Sequence, residues 1–177
     1  MAKKKNEWLE WIKALAIAIV LAVVIRSFFF APIVVDGQSM MPTLKDQDHM
    51  IVNKIGTRIG DIERFDIVVF HATEEKDYIK RVIGLPGDRI EYKDDTLYVN
   101  GQPMDEPYLE QYKKEVIDGP LTEPFVVEEV PEGELFVMGD NRRFSKDSRH
   151  IGTISIEEVM GKTSLIYWPL NEIGIVE

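Results

Sequence analysis

Two side chains have the types and setting to do covalent chemistry together. Ser39 sits in Gly37-Gln38-Ser39-Met40-Met41-Pro42-Thr43, and Lys80 in Tyr78-Ile79-Lys80-Arg81-Val82-Ile83. A serine hydroxyl becomes a useful nucleophile only when a base takes its proton. Histidine is the usual base, and the chain has three, His49, His71 and His150. His49 falls in a charged loop, His71 ends a strand and His150 follows an arginine. None has an obvious orienting acid at a site-like position; His150, near Asp147, comes nearest to one. Lysine serves instead if it is neutral, and burial drives it there by penalising the charged form. In a strand, alternate residues share a face. Tyr78, Lys80 and Val82 therefore go to one side, and Ile79, Arg81 and Ile83 to the other. Arg81 points away from Lys80, which leaves desolvation as the main cause of a lowered pKa. Singly, each residue has a plainer reading: a turn serine beside Gly37 and Pro42, and a lysine that blunts an edge strand. Together they point to a Ser–Lys hydrolase.

Attack by Ser39 on a carbonyl creates an oxyanion that needs donors. The Ser39 backbone N–H is a natural one, and Gly37 permits close approach of backbone to substrate. If the chain is extended before the serine, Ile33, Val35, Gly37 and Ser39 share a face. With Met40, Leu44, Tyr78 and Ile79 they are expected to line small apolar pockets. A third stretch, Gly139-Asp140-Asn141-Arg142-Arg143-Phe144-Ser145-Lys146-Asp147-Ser148-Arg149, follows an apolar strand. It reads either as a solvated charged loop or as a loop locked by ion pairs, able to hold a hydroxyl against a neutral lysine.

These residues need elements to carry them. Ala14 to Ile25 is an unbroken run of twelve apolar residues, short of the roughly 20 that a membrane span wants. The stretch lengthens if Arg26 snorkels, because Phe28, Phe29, Phe30, Ala31, Pro32, Ile33, Val34 and Val35 follow. Trp8 and Trp11 lie where an interfacial belt belongs, and Lys3, Lys4 and Lys5 place the N-terminus on the cytoplasmic side. A cleavable leader needs a small-x-small site, and Arg26-Ser27-Phe28-Phe29-Phe30 offers bulk instead. The expectation is a cytoplasmic tail and transmembrane anchor over 1–30 and an extracytoplasmic domain over 31–177. Ser39, nine residues past Phe30, then lies within roughly 30 Å of the bilayer.

The domain reads as mostly β, with short strands between turn clusters. Strands are expected at Ile33–Val35, Met50–Val52, Phe65–Phe70, Tyr78–Ile83 and Leu135–Met138, with Thr163–Trp168 closing the fold. Arg89–Tyr92 and Thr96–Val99 form a hairpin, and Asn100-Gly101 is a second hairpin signal. Residues 102–133, rich in Glu, Asp and Pro, read as a surface excursion with one short helix near Tyr108–Glu115. The net charge is −10 over 177 residues. Five Lys and Arg against two Glu give residues 1–30 a charge of +3, leaving −13 on the remainder. So acidic a body repels nucleic acid. The absence of cysteine excludes disulfides and thiolate zinc sites and leaves the redox compartment open.

Four blocks, in order, resemble the type I signal peptidase family in its short Gram-positive form. They are Ser39-Met40-Met41-Pro42-Thr43 after an anchor, Arg64-Phe65-Asp66-Ile67-Val68-Val69-Phe70, Lys80 through Asp88, and Gly139 through Arg149. The resemblance implies a Ser–Lys dyad that removes signal peptides from preproteins without metal or cofactor. Ser39 would be the nucleophile and Lys80 the general base. Ser145 matches a serine that hydrogen-bonds the lysine, and Arg81, Asp140, Asp147 and Arg149 match structural ion-pair positions. The implied fold is mostly antiparallel β in coiled sheets, and the implied substrates carry small residues next to the cut. Some members hold a Ser or Thr where this chain has Gly37, so its oxyanion hole should rest on backbone donors. The expected partners are preprotein signal peptides and a lipid bilayer. Two alternatives stay open, a self-cleaving Ser–Lys peptidase and a non-enzymatic anchored binding domain. The oligomeric state is open too.

Overall fold

The computed structural model describes residues 7–54, 62–73 and 76–176, apart from the side chains of 25–28. The chain enters on helix α1 (Glu7–Phe28), whose 22 residues contain no glycine or proline to break it. At 1.5 Å per residue it is about 33 Å long. Every described side chain from Glu7 to Val24 is exposed, with Trp11 at 77%. Its middle is apolar on all sides rather than along one stripe, so no face is set aside for packing on the body. Among the described residues no helix is long and apolar enough to cross a membrane; Glu7, Glu10 and Lys13 interrupt the first turns of α1. The cationic cluster Lys3, Lys4 and Lys5 and the side chain of Arg26 lie outside the described residues.

The rest is built on two antiparallel sheets. The larger holds β1 (Phe30–Val34), β2 (His49–Asn53), β3 (Ile67–Thr73) and β4 (Lys76–Gly84). The smaller is made of β5 (Ile90–Lys93), β6 (Thr96–Val99), β7 (Gln102–Met104) and, after α2 (Glu110–Glu115), β8 (Phe125–Val127). The chain then returns to the larger sheet with β9 (Glu134–Met138). There follow α3 (Ser148–Ile151), β10 (Ile154–Ser155), β11 (Val159–Trp168) and β12 (Gly174–Ile175). The strand orders are β1-β2-β11-β3-β4-β9-β10, with β12 on β11, and β7-β6-β5-β8. Hairpin geometry follows the sequence closely. Asp94 and Asp95 turn β5 into β6, and Asn100 and Gly101 turn β6 into β7, all four at left-handed φ, as primed turns require.

Three apolar clusters hold these layers. Val68, Phe70, Val82 and Val137 form one on the larger sheet. Ile83, Phe136 and Met138 meet Ile90, Tyr92 and Leu97 where the two sheets join. Val35, Met40, Leu44, Met50, Ile67 and Ile166 form the third, beneath the Ser39 turn. Three expectations need correction. His49 is the first residue of β2 rather than part of a loop, paired with Val34 of β1. β3 begins at Ile67, because Phe65 turns through a φ of 73°. Residues 102–133 are not merely a surface excursion: Glu106, Leu109, Leu121, Thr122 and Val130 are buried.

Candidate active site

Ser39 lies in the turn between β1 and β2. Met40 sinks into the cluster below, 1% exposed, and anchors the turn from inside. The turn starts at Gly37, whose φ of 101° is hard for any residue with a Cβ. Its N–H is already committed, donating to Asp46 Oδ1 at 2.8 Å. A Cβ at Gly37 would meet nothing within 4 Å, so the backbone conformation, not a close approach, requires glycine there.

Lys80 reaches Ser39 from the middle of β4. Its Nζ is 2.8 Å from Ser39 Oγ and 2.9 Å from the Ile79 carbonyl oxygen, and 5.0 Å from the centre of the Tyr78 ring. The side chain is 3% exposed. Burial lowers its pKa from 10.5 to about 8, against the opposing pull of Asp147 and Asp140. Strand parity holds: Arg81 turns the other way and binds Asp140 through Nε at 3.0 Å and Nη2 at 2.8 Å. Both partners of that pair are fully buried. Asp147 is paired likewise, with Arg149 at 2.8 Å. Burial works against the charge of Asp147, but Arg149 and the Gly139 N–H hold its carboxyl below the usual range. Each acid near Lys80 thus already has an arginine, which limits how strongly it retains the lysine's proton.

The loop from β9 to α3 fixes the serine from the other side. The Asn141 N–H donates to the Ser39 carbonyl and its Nδ2 to the Gln38 carbonyl, both at 3.0 Å. Asp140 Oδ2 accepts from Thr43 Oγ1 at 2.6 Å. Gly139 is packed so closely that a Cβ would sit 2.4 Å from the Ser39 carbonyl oxygen and 2.3 Å from Ser145 Oγ. Beneath, the buried Arg142 binds Glu106 at 2.6 Å and Thr122 at 3.2 Å, tying residues 102–133 to this loop. Sequence reasoning singled out neither Asn141 nor Arg142, although both stand in the block after Gly139.

Two expected roles do not appear in this geometry. Ser145 is buried, but its hydroxyl is not among the hydrogen-bond partners of Lys80 Nζ, which are Ser39 Oγ and the Ile79 carbonyl. Leu44 does not border the groove beside Ser39; it is fully buried in the cluster beneath it. The groove beside Ser39, about 490 Å³, is lined by Ile33, Val35, Met40, Tyr78, Ile79 and Lys80. Phe144 and Lys146, which the sequence did not flag, line it as well. None of the three histidines borders it. Among the described residues no group of His, Cys, Asp and Glu could hold a metal ion. The arrangement offers a hydroxyl, a base able to be neutral near pH 8 and a neighbouring backbone N–H, which suffices for acyl transfer.

A family model described as signal peptidase, peptidase S26, matches residues 8–168. A signal peptidase I of Bacillus caldolyticus is 52% identical over 162 residues, which is 88% of this chain and 89% of that protein. A signal peptidase IB of Staphylococcus aureus is 44% identical over 178 aligned residues, 95% of this chain and 93% of that protein. Among solved structures, a crystal structure of a signal peptidase I from Enterococcus faecalis is similar, with a TM-score of 0.56 and 40% identity. It covers 59% of this chain and 98% of its own.

Proposed function

The chain belongs to the signal peptidase family, peptidase S26, and from that premise we propose that it is a serine endopeptidase that cuts signal peptides from exported preproteins with a Ser39–Lys80 dyad. The observation that carries this reading is the 2.8 Å contact between Lys80 Nζ and Ser39 Oγ at a lysine that is 3% exposed. Neutral Lys80 takes the hydroxyl proton as Ser39 Oγ attacks the scissile carbonyl carbon. The Ser39 N–H, which has no acceptor among the described residues, faces the resulting oxyanion. The Lys80 ammonium then gives its proton to the departing amine of the mature chain. Water, activated by the same lysine, releases the leader from the acyl-enzyme. Arg81 and Asp140, with Asp147 and Arg149, act as positioning residues that hold the loop around the dyad.

Substrate binding follows from the unfinished sheet. β4 pairs with β9 only from Arg81 onward, so among the described residues no strand pairs with that edge of Asp77–Lys80, which lies along the groove. A preprotein segment before the cut can add there as a strand, with its small side chains against Ile33, Val35 and Ile79. Residues 1–30 serve as the anchor and 31–177 as the catalytic domain. An exposed helix that is apolar on all sides is at home in lipid, and the lysine cluster keeps its N-terminus cytoplasmic. The domain therefore lies outside the membrane, beside substrates whose own apolar leaders share the bilayer. A non-enzymatic binding domain gives no reason to bury a lysine against a serine. The test is cleavage of a purified preprotein in detergent. Wild type should release the mature chain, and Ser39→Ala, of unchanged circular dichroism, should not; equal processing by both overturns the dyad.

A further inference from the structure

The groove beside Ser39 does not end at the turn. A second groove of about 460 Å³ adjoins it, and Gln38 and Phe144 line both. None of Ile33, Val35, Tyr78 or Ile79 borders the second groove. It therefore lies beyond Ser39 from the residues that take the leader side. Met41, Val116, Ile117 and Leu121 give it an apolar wall. Ile117 is 95% exposed and Phe144 79%. A single exposed apolar residue means little, but these two face one groove that continues from the nucleophile. The wall is also braced. The Arg143 guanidinium donates to the carbonyl oxygens of Asp118 and Pro120, the latter at 2.8 Å. The Asp95 carboxylate accepts the N–H groups of Leu121 and Thr122 at 2.7 and 2.8 Å. Glu115, Asp118 and Arg143 are the charged residues of its lining.

We propose that this second groove is the subsite for the first residues of the mature chain, those just past the cut, and that it favours apolar residues there. The inference rests on the proposed signal-peptide cleavage at Ser39. A polypeptide whose scissile carbonyl sits at Ser39 Oγ, with its leader along Ile33 and Ile79, must continue past Gln38 and Phe144. That path leads onto Met41 and Ile117. The segment between α2 and β8 thereby acquires a role as the wall that reads the new N-terminus.

Three peptides with one leader-side sequence test this on the full-length protein in detergent. One ends a single residue past the cut, one continues with three apolar residues and one with three aspartates. For wild type, kcat/KM should be about five- to tenfold higher for the apolar extension than for the short peptide, and the acidic extension should bring no such gain. Ile117→Asp should abolish the gain from the apolar extension, mainly through KM, while the short peptide stays within about twofold. Equal kcat/KM for short and apolar-extended peptides in wild type overturns the subsite. So does an Ile117→Asp variant that slows both alike. Failure of wild type to cut any peptide overturns the proposed cleavage, and the subsite with it.

Discussion

At the scale of single residues, Lys80 is where folding and function conflict. The folded protein gives up the lysine's proton above about pH 8, whereas the unfolded chain keeps it to about 10.5. The unfolded state thus binds more protons between those values, and stability rises with pH across that window. Below pH 8 the buried ammonium costs about 3 kcal/mol, on the scale of 1.36 kcal/mol per pH unit. Lys80→Met should therefore be more stable than wild type at pH 7, with the gain shrinking towards pH 10.5. Urea denaturation at several pH values measures this; a Met variant less stable at pH 7 counts against a desolvated lysine. Lys80→Arg cannot shed its proton in this range, so it should be inactive while keeping the charge. Residual cleavage above about 1% of wild type by that variant would sink the role of Lys80 as base. The orientation of Lys80 and Arg81 was legible because a strand has period two. The contacts of Ser145 were not, because a loop has no period, and its hydroxyl ends against Gly139.

At the scale of elements, the loop from β9 to α3 matters most. Gly139→Ala would drive a methyl group to 2.4 Å from the Ser39 carbonyl oxygen. The turn must shift, and a displacement near 1 Å costs on the order of a hundredfold in kcat. The variant should fold, show that loss and leave KM little changed; wild-type kcat contradicts the packing described. The Arg81–Asp140 pair has no solvent to fall back on, so Asp140→Ala should lose about 3–5 kcal/mol by leaving a buried cation. Thermal or urea unfolding reads this, and a loss under 1 kcal/mol would mean that the arginine finds another partner. Much of the fold was readable for local reasons: the Asn100-Gly101 turn, the alternation in β4 and the short helix before Glu115 are all encoded within a few residues. The burial of residues 102–133 was not, because the partner of Glu106 is Arg142, 36 residues on. A charged, proline-rich segment looks solvated until the opposite charge is known to be folded against it. The Ser39–Lys80 contact spans 41 residues. The residues alone pointed to that pairing, and the family resemblance strengthened it.

At the scale of the molecule, an acidic body is joined to an exposed apolar helix. A body of net charge −13 should not adsorb to anionic lipid by electrostatics, so the proposed membrane attachment rests on α1. Removal of residues 1–30 should leave a domain that no longer floats with phosphatidylcholine vesicles yet still cuts a soluble peptide. Continued flotation of the truncated protein would place membrane attachment elsewhere. The central claim is that one buried lysine, and no histidine, activates Ser39. The most direct measurement is the pH dependence of kcat for the full-length protein on a preprotein. Activity should rise with pH through a midpoint near 8 and stay high into the alkaline range. A midpoint near 6.5 that vanishes when a histidine is replaced would contradict the account.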